Sequence, residues 1–454
     1  MVTPPNAIVI GAGVIGCSVA LELSRRNHPV TVVDSLPAAG YGSTSSSSGI
    51  IRFHYSTEAG VAMAWEGRHY WRNWAAHVRA EPGPDGSPPI EHEAVAAMVE
   101  VPMYMFLGPD AERPIFLDHF DKIGIPYEVQ PRSALESGAV NLDLRMFGPP
   151  ARLEDDGNPF WGEPEDRFED LLWMGGAGYV PDPQLAAQNL CTAAMAEGVE
   201  FLFNTKVVAV NRSADGDRVS GVTVVGGTAG GSGDGRMISA PIVVNVAGPH
   251  SSIVNELAGV TGDMVRSGRA LRREVYIAPA PAGFDERSGF QAADLDVGVY
   301  FRPESGGNIM VGSVEPECDE LVWVDPDDFD ETVTEDEFQL AMMRTARRLP
   351  ELGIPRSKRG LVALYDATED WTPIYDRSSL DGFYMACGSS GNQFKNAAVA
   401  GHLMAELIDA VESGHDQDGD PIKVTGVHTG LEIDTATFSR RREVDVNAAN
   451  TVLG

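Results

Sequence analysis

An α/β fold that opens on a parallel β-α-β unit is what this sequence predicts, and three observations carry the prediction. Residues 7–10, Ala-Ile-Val-Ile, make a short buried-strand run. Residues 14–26 set Val14, Ile15, Ala20, Leu21 and Leu23 at helical spacing, and 30–33, Val-Thr-Val-Val, make a second strand run ending at Asp34. Further on, 270–314 alternates in the manner of half-exposed strands, so a second part of the chain is strand-rich. At 454 residues the chain exceeds one hydrophobic core, and two connected domains follow from length alone.

Between the first strand and the helix lies Gly11-Ala12-Gly13-Val14-Ile15-Gly16. The first glycine permits a tight turn, the second lets backbone approach a pyrophosphate, and the third lets helix and strand pack closely. Phosphates then sit on the helix N-terminus, where free N–H groups and the dipole favour anions. Asp34, at the end of the second strand, is placed to accept ribose hydroxyls and disfavours a 2′-phosphate, hence NADP. Together these make a Rossmann-type dinucleotide site, but the motif does not choose FAD over NAD.

The remaining elements follow in order. A Ser/Gly/Thr segment spans 40–49, and a tryptophan-rich helical stretch covers 59–78. Residues 81–93 and 148–167, rich in Pro and Gly or in Pro and acid, are loops. Helical spacing over 184–197 leads to strands at 200–203, 206–211 and 219–225, a Gly-rich turn at 226–235 and a strand at 241–246. A helix is predicted over 335–349. A last strand at 382–386 feeds Gly388-Ser389-Ser390-Gly391 and a helix over 393–411. The tail from 412 is polar and is expected to contribute little core.

Composition narrows the function. A formal charge of −32 repels polyanions over most of the surface, which excludes a general nucleic-acid binder and disfavours anionic membranes. Runs such as 325–331 read as solvated loop. Cys17, Cys191, Cys318 and Cys387 are widely spaced, with neither a CxxC pair nor a Cys/His cluster, so no zinc site or disulfide framework is expected. The apolar start is broken by glycines and followed by Glu22, which suits neither a signal peptide nor a membrane span; a cytoplasmic location is expected.

Four segments give the chain a resemblance to the D-amino-acid-oxidase-like FAD enzymes, within them most to the sarcosine oxidase and dimethylglycine dehydrogenase branch. The first is the N-terminal unit. The second is the stretch 42–55, Gly-Ser-Thr-Ser-Ser-Ser-Ser-Gly-Ile-Ile-Arg-Phe-His-Tyr. The third runs from Val180-Pro181-Asp182-Pro183 through Asn204-Thr205-Lys206-Val207 to Ala247-Gly248-Pro249. The fourth is Ala386-Cys387-Gly388-Ser389-Ser390-Gly391-Asn392-Gln393-Phe394-Lys395.

The resemblance implies FAD held by Gly11, Gly13, Val14, Ile15, Gly16, Asp34 and Ser35, by Gly42, Ser43, Thr44, Ser45, Gly49 and Ile50, and by Val207 near the adenine. Ala247 and Gly248 would pass under the cofactor, and Gly388, Ser390, Gly391, Asn392, Gln393, Phe394 and Lys395 would face its ring. Independently of any family, a Gly-rich turn feeding a helix aims N–H groups and a positive dipole end forward, which stabilises the negative charge of a reduced flavin.

Arg52 and Lys395 match positions that bind the substrate carboxylate in that branch. Arginine offers a planar fork matched to a carboxylate, and lysine adds a point charge. Position 49, where close relatives carry another arginine, is glycine here. Tyr55 and Tyr300 are candidates to line the substrate face, and His54 is a candidate base or hydrogen-bonded structure. Hydride transfer from a neutral amine needs orientation more than acid–base catalysis. The residue matching the FAD-tethering cysteine is Ala363, and no histidine stands in the serine run 45–48, so FAD is expected to be noncovalent. A lysine tied to oxygen activation in relatives falls near Met310, leaving oxygen or an electron carrier as acceptor.

The expected activity is oxidation of a small amino acid or N-methyl amino acid. A 2-hydroxy-acid oxidoreductase, or a flavin-bearing subunit of an electron-transfer complex, remain as alternatives. The implied architecture is α/β with an α+β substrate part. The FAD-binding domain is discontinuous, at 1–80, 175–265 and 360–454. A mostly antiparallel sheet from 81–174 and 266–359 covers the flavin.

Overall fold

Strands from three distant stretches of the chain assemble the sheet that carries the glycine motif. The computed structural model describes residues 4–83, 86–108, 114–155, 157–226 and 235–443. Its six-stranded sheet runs Ile374–Arg377, Phe383–Cys387, Ile242–Asn245, Ala7–Ile10, Val30–Val33, Glu200–Leu202. All neighbours pair in parallel except the first two. Ala7–Ile10 is central and buried along its whole length, as expected of a strand covered on both faces. The helices Val14–Arg25, Pro183–Ala196 and Ala397–Glu412 share one apolar core on one side of it. Pro183 sits at the start of its helix, where a missing N–H costs nothing, and Asp182 accepts the Leu185 N–H.

A nine-stranded, largely antiparallel sheet forms the second part. It draws on Met103–Phe106 and Asp170–Met174, then on Gly268–Pro279, Gln291–Asp294, Val299–Glu304 and Asn308–Ser313. One pairing, Gln291–Asp294 with Met103–Phe106, is parallel. A helix at Glu335–Arg348 packs on this sheet over a phenylalanine-rich core. The strand Gly360–Thr368 lies on the nucleotide side of the expected boundary at 360, yet it pairs residue for residue with Gly268–Tyr276 and so belongs to the antiparallel sheet.

Three other local expectations are revised. The tryptophan-rich helix is two pieces, Glu58–Arg72 and Trp74–His77, because Asn73 leaves the helical conformation at φ −115°. The polar tail is no appendage. Its hairpin strands Lys423–Thr425 and Glu432–Asp434 bury Val424 and Ile433, and Phe438 and Arg440 are buried after them. Arg440 is held by Asp263, Asp376 and Asp418 at 2.7–2.9 Å. Most of the Gly-rich turn expected at 226–235 lies outside the described residues. Among the described residues no helix is long and apolar enough to cross a membrane.

Candidate active site

Backbone crowding shows why the N-terminal motif is glycine. Gly11 adopts φ +110°, and a Cβ there would lie 2.3 Å from the Val246 carbonyl oxygen. A Cβ on Gly16 would lie 1.9 Å from the Gly11 carbonyl oxygen. Gly13 caps the first helix with no side-chain bond, no acid occupies the first turn, and Thr44 Oγ1 accepts the Val14 N–H at 3.1 Å. This is a cradle open to an anion. Asp34 accepts N–H groups from Ala12 at 2.6 Å and Leu36 at 2.7 Å. Burial raises its pKa and those two bonds partly offset the rise.

The expected cofactor segments converge on this cradle. Ala247 and the left-handed Gly248 follow Val246, which donates to the Ile10 carbonyl beside Gly11. Thr205 donates to the Asp34 carbonyl, bringing the strand that carries Val207 to the end of Val30–Val33. Ser43 donates to the Leu364 carbonyl at 2.7 Å and Ser45 to Gly42, while Ser35 is exposed at the rim. The donor set, glycines and open helix end fit a dinucleotide such as FAD. Position 49 admits no arginine. Gly49 has φ +64°, and a Cβ would lie 2.3 Å from the Val180 carbonyl oxygen.

At the other end, Gly388, Ser390 and Gly391 all have positive φ. Asp366 organises the turn: its carboxylate accepts the Gly388 N–H at 2.5 Å and its carbonyl accepts the Ser390 N–H at 2.7 Å. Burial pushes the Asp366 pKa up to about 7, partly offset by the Gly388 bond. A Cβ on Gly391 would lie 2.4 Å from the Tyr365 ring, so the glycine lets that ring close over the turn.

Between the turn and the antiparallel sheet is a cleft. Its walls are Ser47, Ser48, Ile50, Arg52, Met103, Ala293, Tyr300, Tyr365, Gly391, Asn392, Phe394 and Lys395. Arg52 and Lys395 are both buried. Arg52 follows the short strand Ile50–Ile51, donates to the His54 carbonyl at 2.5 Å and stacks 4.9 Å from the Tyr55 ring. Lys395 lies in the single turn Phe394–Asn396 ahead of the last long helix. Its Nζ donates to Tyr55 Oη at 2.9 Å and to the Asn392 carbonyl at 2.5 Å. Burial lowers the pKa of both cations, and for Lys395 the neighbouring Arg52 adds to a large depression.

The tryptophan-rich helix packs against the turn that carries this lysine. Trp71 Nε1 donates to the Lys395 carbonyl at 2.8 Å, Trp71 stacks on Phe394 at 5.0 Å, and Gly67 lets the helix approach within reach of that carbonyl.

Of the proposed substrate-side residues, Arg52, Tyr300 and Lys395 line the cleft and Tyr55 supports Lys395 from behind. His54 does not line it: its ring packs 5.5 Å from Phe116, and its two ring nitrogens have no hydrogen-bond partner among the described residues. Burial, with Arg52 and Lys395 nearby, holds its pKa well below the ordinary value, so it stays neutral. Gln393 Oε1 accepts from Tyr375 and Asn396 rather than facing the cleft. Sequence reasoning missed Met103 and Ala293, whose strands come from remote segments. It also missed an Arg273–Glu315 ion pair at 2.7 Å, close enough to the tyrosines Tyr300 and Tyr365 to influence both. Alternation over 270–314 marked strands there but gave no signal for that pair.

Known proteins resemble this chain over most of its length. The family model described as DAO, FAD dependent oxidoreductase, matches residues 6–407. A glycine oxidase of Geobacillus kaustophilus is 22% identical over 90% of this chain and 94% of that protein. Hydrogen cyanide synthase subunit HcnC of Pseudomonas aeruginosa is 23% identical over 89% of this chain and 92% of that protein. Among solved structures, L-proline dehydrogenase from P. horikoshii superposes with a TM-score of 0.69 at 20% identity, covering 93% of this chain and 98% of that one. At such identity the likeness shows the shared fold.

Proposed function

The chain belongs to the DAO family of FAD-dependent oxidoreductases, and we propose that it oxidises the C–N bond of a small amino acid or N-alkyl amino acid. The observation that carries this reading is the pair Arg52 and Lys395, two buried cation-forming side chains on the wall of one cleft. A planar guanidinium beside an amine suits a carboxylate far better than a neutral or cationic group. Bound FAD supplies the electron-pair acceptor for such an oxidation. The protein's own contribution is orientation: Arg52 and Lys395 fix the carboxylate, and Tyr300 and Tyr365 wall the reacting carbon. The glycine-oxidase and proline-dehydrogenase relatives act on amino acids by name, which supports the same substrate class.

In this reading the six-stranded sheet with its helices holds the cofactor and the antiparallel sheet covers the substrate. FAD is noncovalent, since Ala363 offers no tether. The test is anaerobic loss of the flavin's visible absorbance with sarcosine, dimethylglycine, proline, D-alanine, glycine and 2-hydroxyglutarate. An amine is expected to bleach the flavin, and Arg52→Ala is expected to slow it about 30-fold or more at low substrate, the scale of a lost buried charge contact. Reduction by 2-hydroxyglutarate alone would replace the amine reading with a hydroxy-acid one. Reoxidation in air then distinguishes oxygen from an electron carrier as acceptor.

A further inference from the structure

The hydrogen bonds of Lys395 leave its amine without a counter-charge. Tyr55 Oη lies 2.5 Å from the Asn392 carbonyl, to which it donates its only hydrogen, so toward Nζ at 2.9 Å it can only accept. Nζ also donates to the Asn392 carbonyl at 2.5 Å. Both partners are neutral oxygens, and among the described residues no carboxylate is bonded to Nζ. Arg52 shares the Tyr55 ring with it, its guanidinium carbon 4.9 Å and Nζ 5.2 Å from the ring centre. The charge that acts on it is another cation, Arg52.

We propose that Lys395 enters the reaction as a neutral amine, takes the ammonium proton of the bound amino acid, and in its protonated form becomes the second cation holding the carboxylate. This rests on the amino-acid reading of the cleft. In the step, an N–H bond of the substrate ammonium breaks and its electron pair stays on the substrate nitrogen. An N–H bond forms at Nζ using the amine lone pair. No electrons change owner. The ligand passes from zwitterion to anion while the lysine passes from neutral to +1, so total charge is conserved. In an α-amino acid the nitrogen and a carboxylate oxygen are neighbours, so one lysine reaches both. The freed lone pair on nitrogen is what the adjacent carbon needs to give up its hydrogen with an electron pair. When product leaves, the protonated lysine again faces Arg52 in a buried site and returns its proton to solvent.

The groups around the lysine do not compete for the role. Arg52 remains charged, because a guanidinium keeps its proton even when burial lowers its pKa. Burial raises the pKa of Tyr55, Tyr300 and Tyr365, so all three stay protonated, and His54 is neutral and off the cleft. Glu315 is paired with Arg273.

The experiment measures protons taken up by the holoenzyme as it binds carboxylates that cannot be oxidised, propionate and N,N,N-trimethylglycine. Calorimetry is run near pH 8 in buffers of different ionisation enthalpy. Neither ligand has an ammonium proton to give, so wild type is expected to take about one proton from buffer per ligand bound. Lys395→Arg is expected to bind both with no uptake. Its anaerobic flavin reduction by an amino acid is expected to rise about tenfold per pH unit with the free-amine fraction, where wild type is flatter. Binding to wild type without proton uptake would overturn the proposal and leave the carboxylate reading intact. Failure of either ligand to bind wild type would remove the carboxylate reading and this proposal with it.

Discussion

Arg348 and Lys395 are both enclosed, at 0% and 3% exposure, and their surroundings could hardly differ more. The Arg348 guanidinium meets Asp294 at 2.6 Å and Asp296 at 2.8 Å, both themselves fully buried. It also donates to the Asp143 and Arg145 carbonyls and lies 4.4 Å over the Phe106 ring. These contacts tie the end of strand Gln291–Asp294 to the loop at Asp143 and Arg145, and Asp296 additionally accepts the Phe147 and Gly148 N–H groups. Lys395 has two neutral oxygens and a neighbouring arginine. A buried cation whose counter-charge the protein supplies stabilises one arrangement of the chain. A buried amine beside a cation, with no carboxylate bonded to it among the described residues, suits a ligand that brings the counter-charge.

The comparison breaks most visibly at Asp294. Asp294→Ala leaves Arg348 half-compensated in a dry core, and breaking a buried pair in this way costs about 3–5 kcal/mol. Denaturant unfolding is expected to report that loss, while propionate affinity in the surviving folded fraction stays within about twofold, since no contact to the cleft is removed. A loss under 1 kcal/mol would mean that the two carboxylates are redundant and the contrast overstated.

Lys395→Met is expected to do the reverse. Carboxylate affinity falls about 10- to 100-fold, which is about 1.4–2.7 kcal/mol. Stability at neutral pH equals or exceeds wild type. The sign follows from the depressed folded-state pKa. The unfolded chain holds a lysine proton up to about pH 10.4, and the folded chain sheds it at lower pH. Wild-type stability therefore rises with pH through that window, by up to about 1.4 kcal/mol per pH unit, and is lost as pH falls toward the folded-state pKa. The methionine variant lacks this slope. Thermal melts across the pH series that run parallel for the two proteins would show that Lys395 is charged in the folded state.

These two sites also mark what a sequence can disclose. The glycine cradle is legible because its demands are local: Gly11, Gly13, Gly16 and Asp34 lie within one β-α-β unit, Gly11 and Gly16 answer to backbone crowding, and Asp34 follows the strand Val30–Val33. Arg52 and Lys395 are 343 positions apart in sequence, and only a family resemblance brought them together before the fold did. Nothing in the sequence around 294–296 or 348 announced the Arg348 cluster, because pairing between remote strands and a helix leaves no periodic trace. The tail was misjudged for a similar reason. A three-residue strand such as Lys423–Thr425 is too short to show alternation, and the carboxylates that meet Arg440 come from positions 263, 376 and 418.

Asp34 lies between the extremes, a half-buried carboxylate whose partners are N–H groups instead of a cation. Asp34→Ala orphans the Ala12 and Leu36 N–H groups, at about 1–3 kcal/mol for a desolvated donor. Titration of apoprotein with FAD is expected to show affinity reduced about tenfold or more, with noncovalent FAD lost on gel filtration. Unchanged retention would place the ribose hydroxyls elsewhere.

At the solvent end of the comparison stands Arg72 with Glu100, a two-pronged pair at 2.6 Å on both bonds whose side chains are 42% and 46% exposed. Its fork is the better formed of the two, since Arg348 reaches Asp294 at 2.6 Å on one bond and 3.5 Å on the other, so a larger loss at Asp294 is owed to burial and not to bond geometry. In water the field between the charges is screened, and two long side chains must be ordered to keep the contact. Glu100→Ala is expected to cost about 0–1 kcal/mol, shrinking further as salt is raised, where the Asp294→Ala loss is expected to be insensitive to salt. A loss at Glu100 as large as that at Asp294 would mean that fork geometry, not enclosure, sets the worth of these pairs. Enclosure would then give no ground for Lys395 to need a ligand's charge.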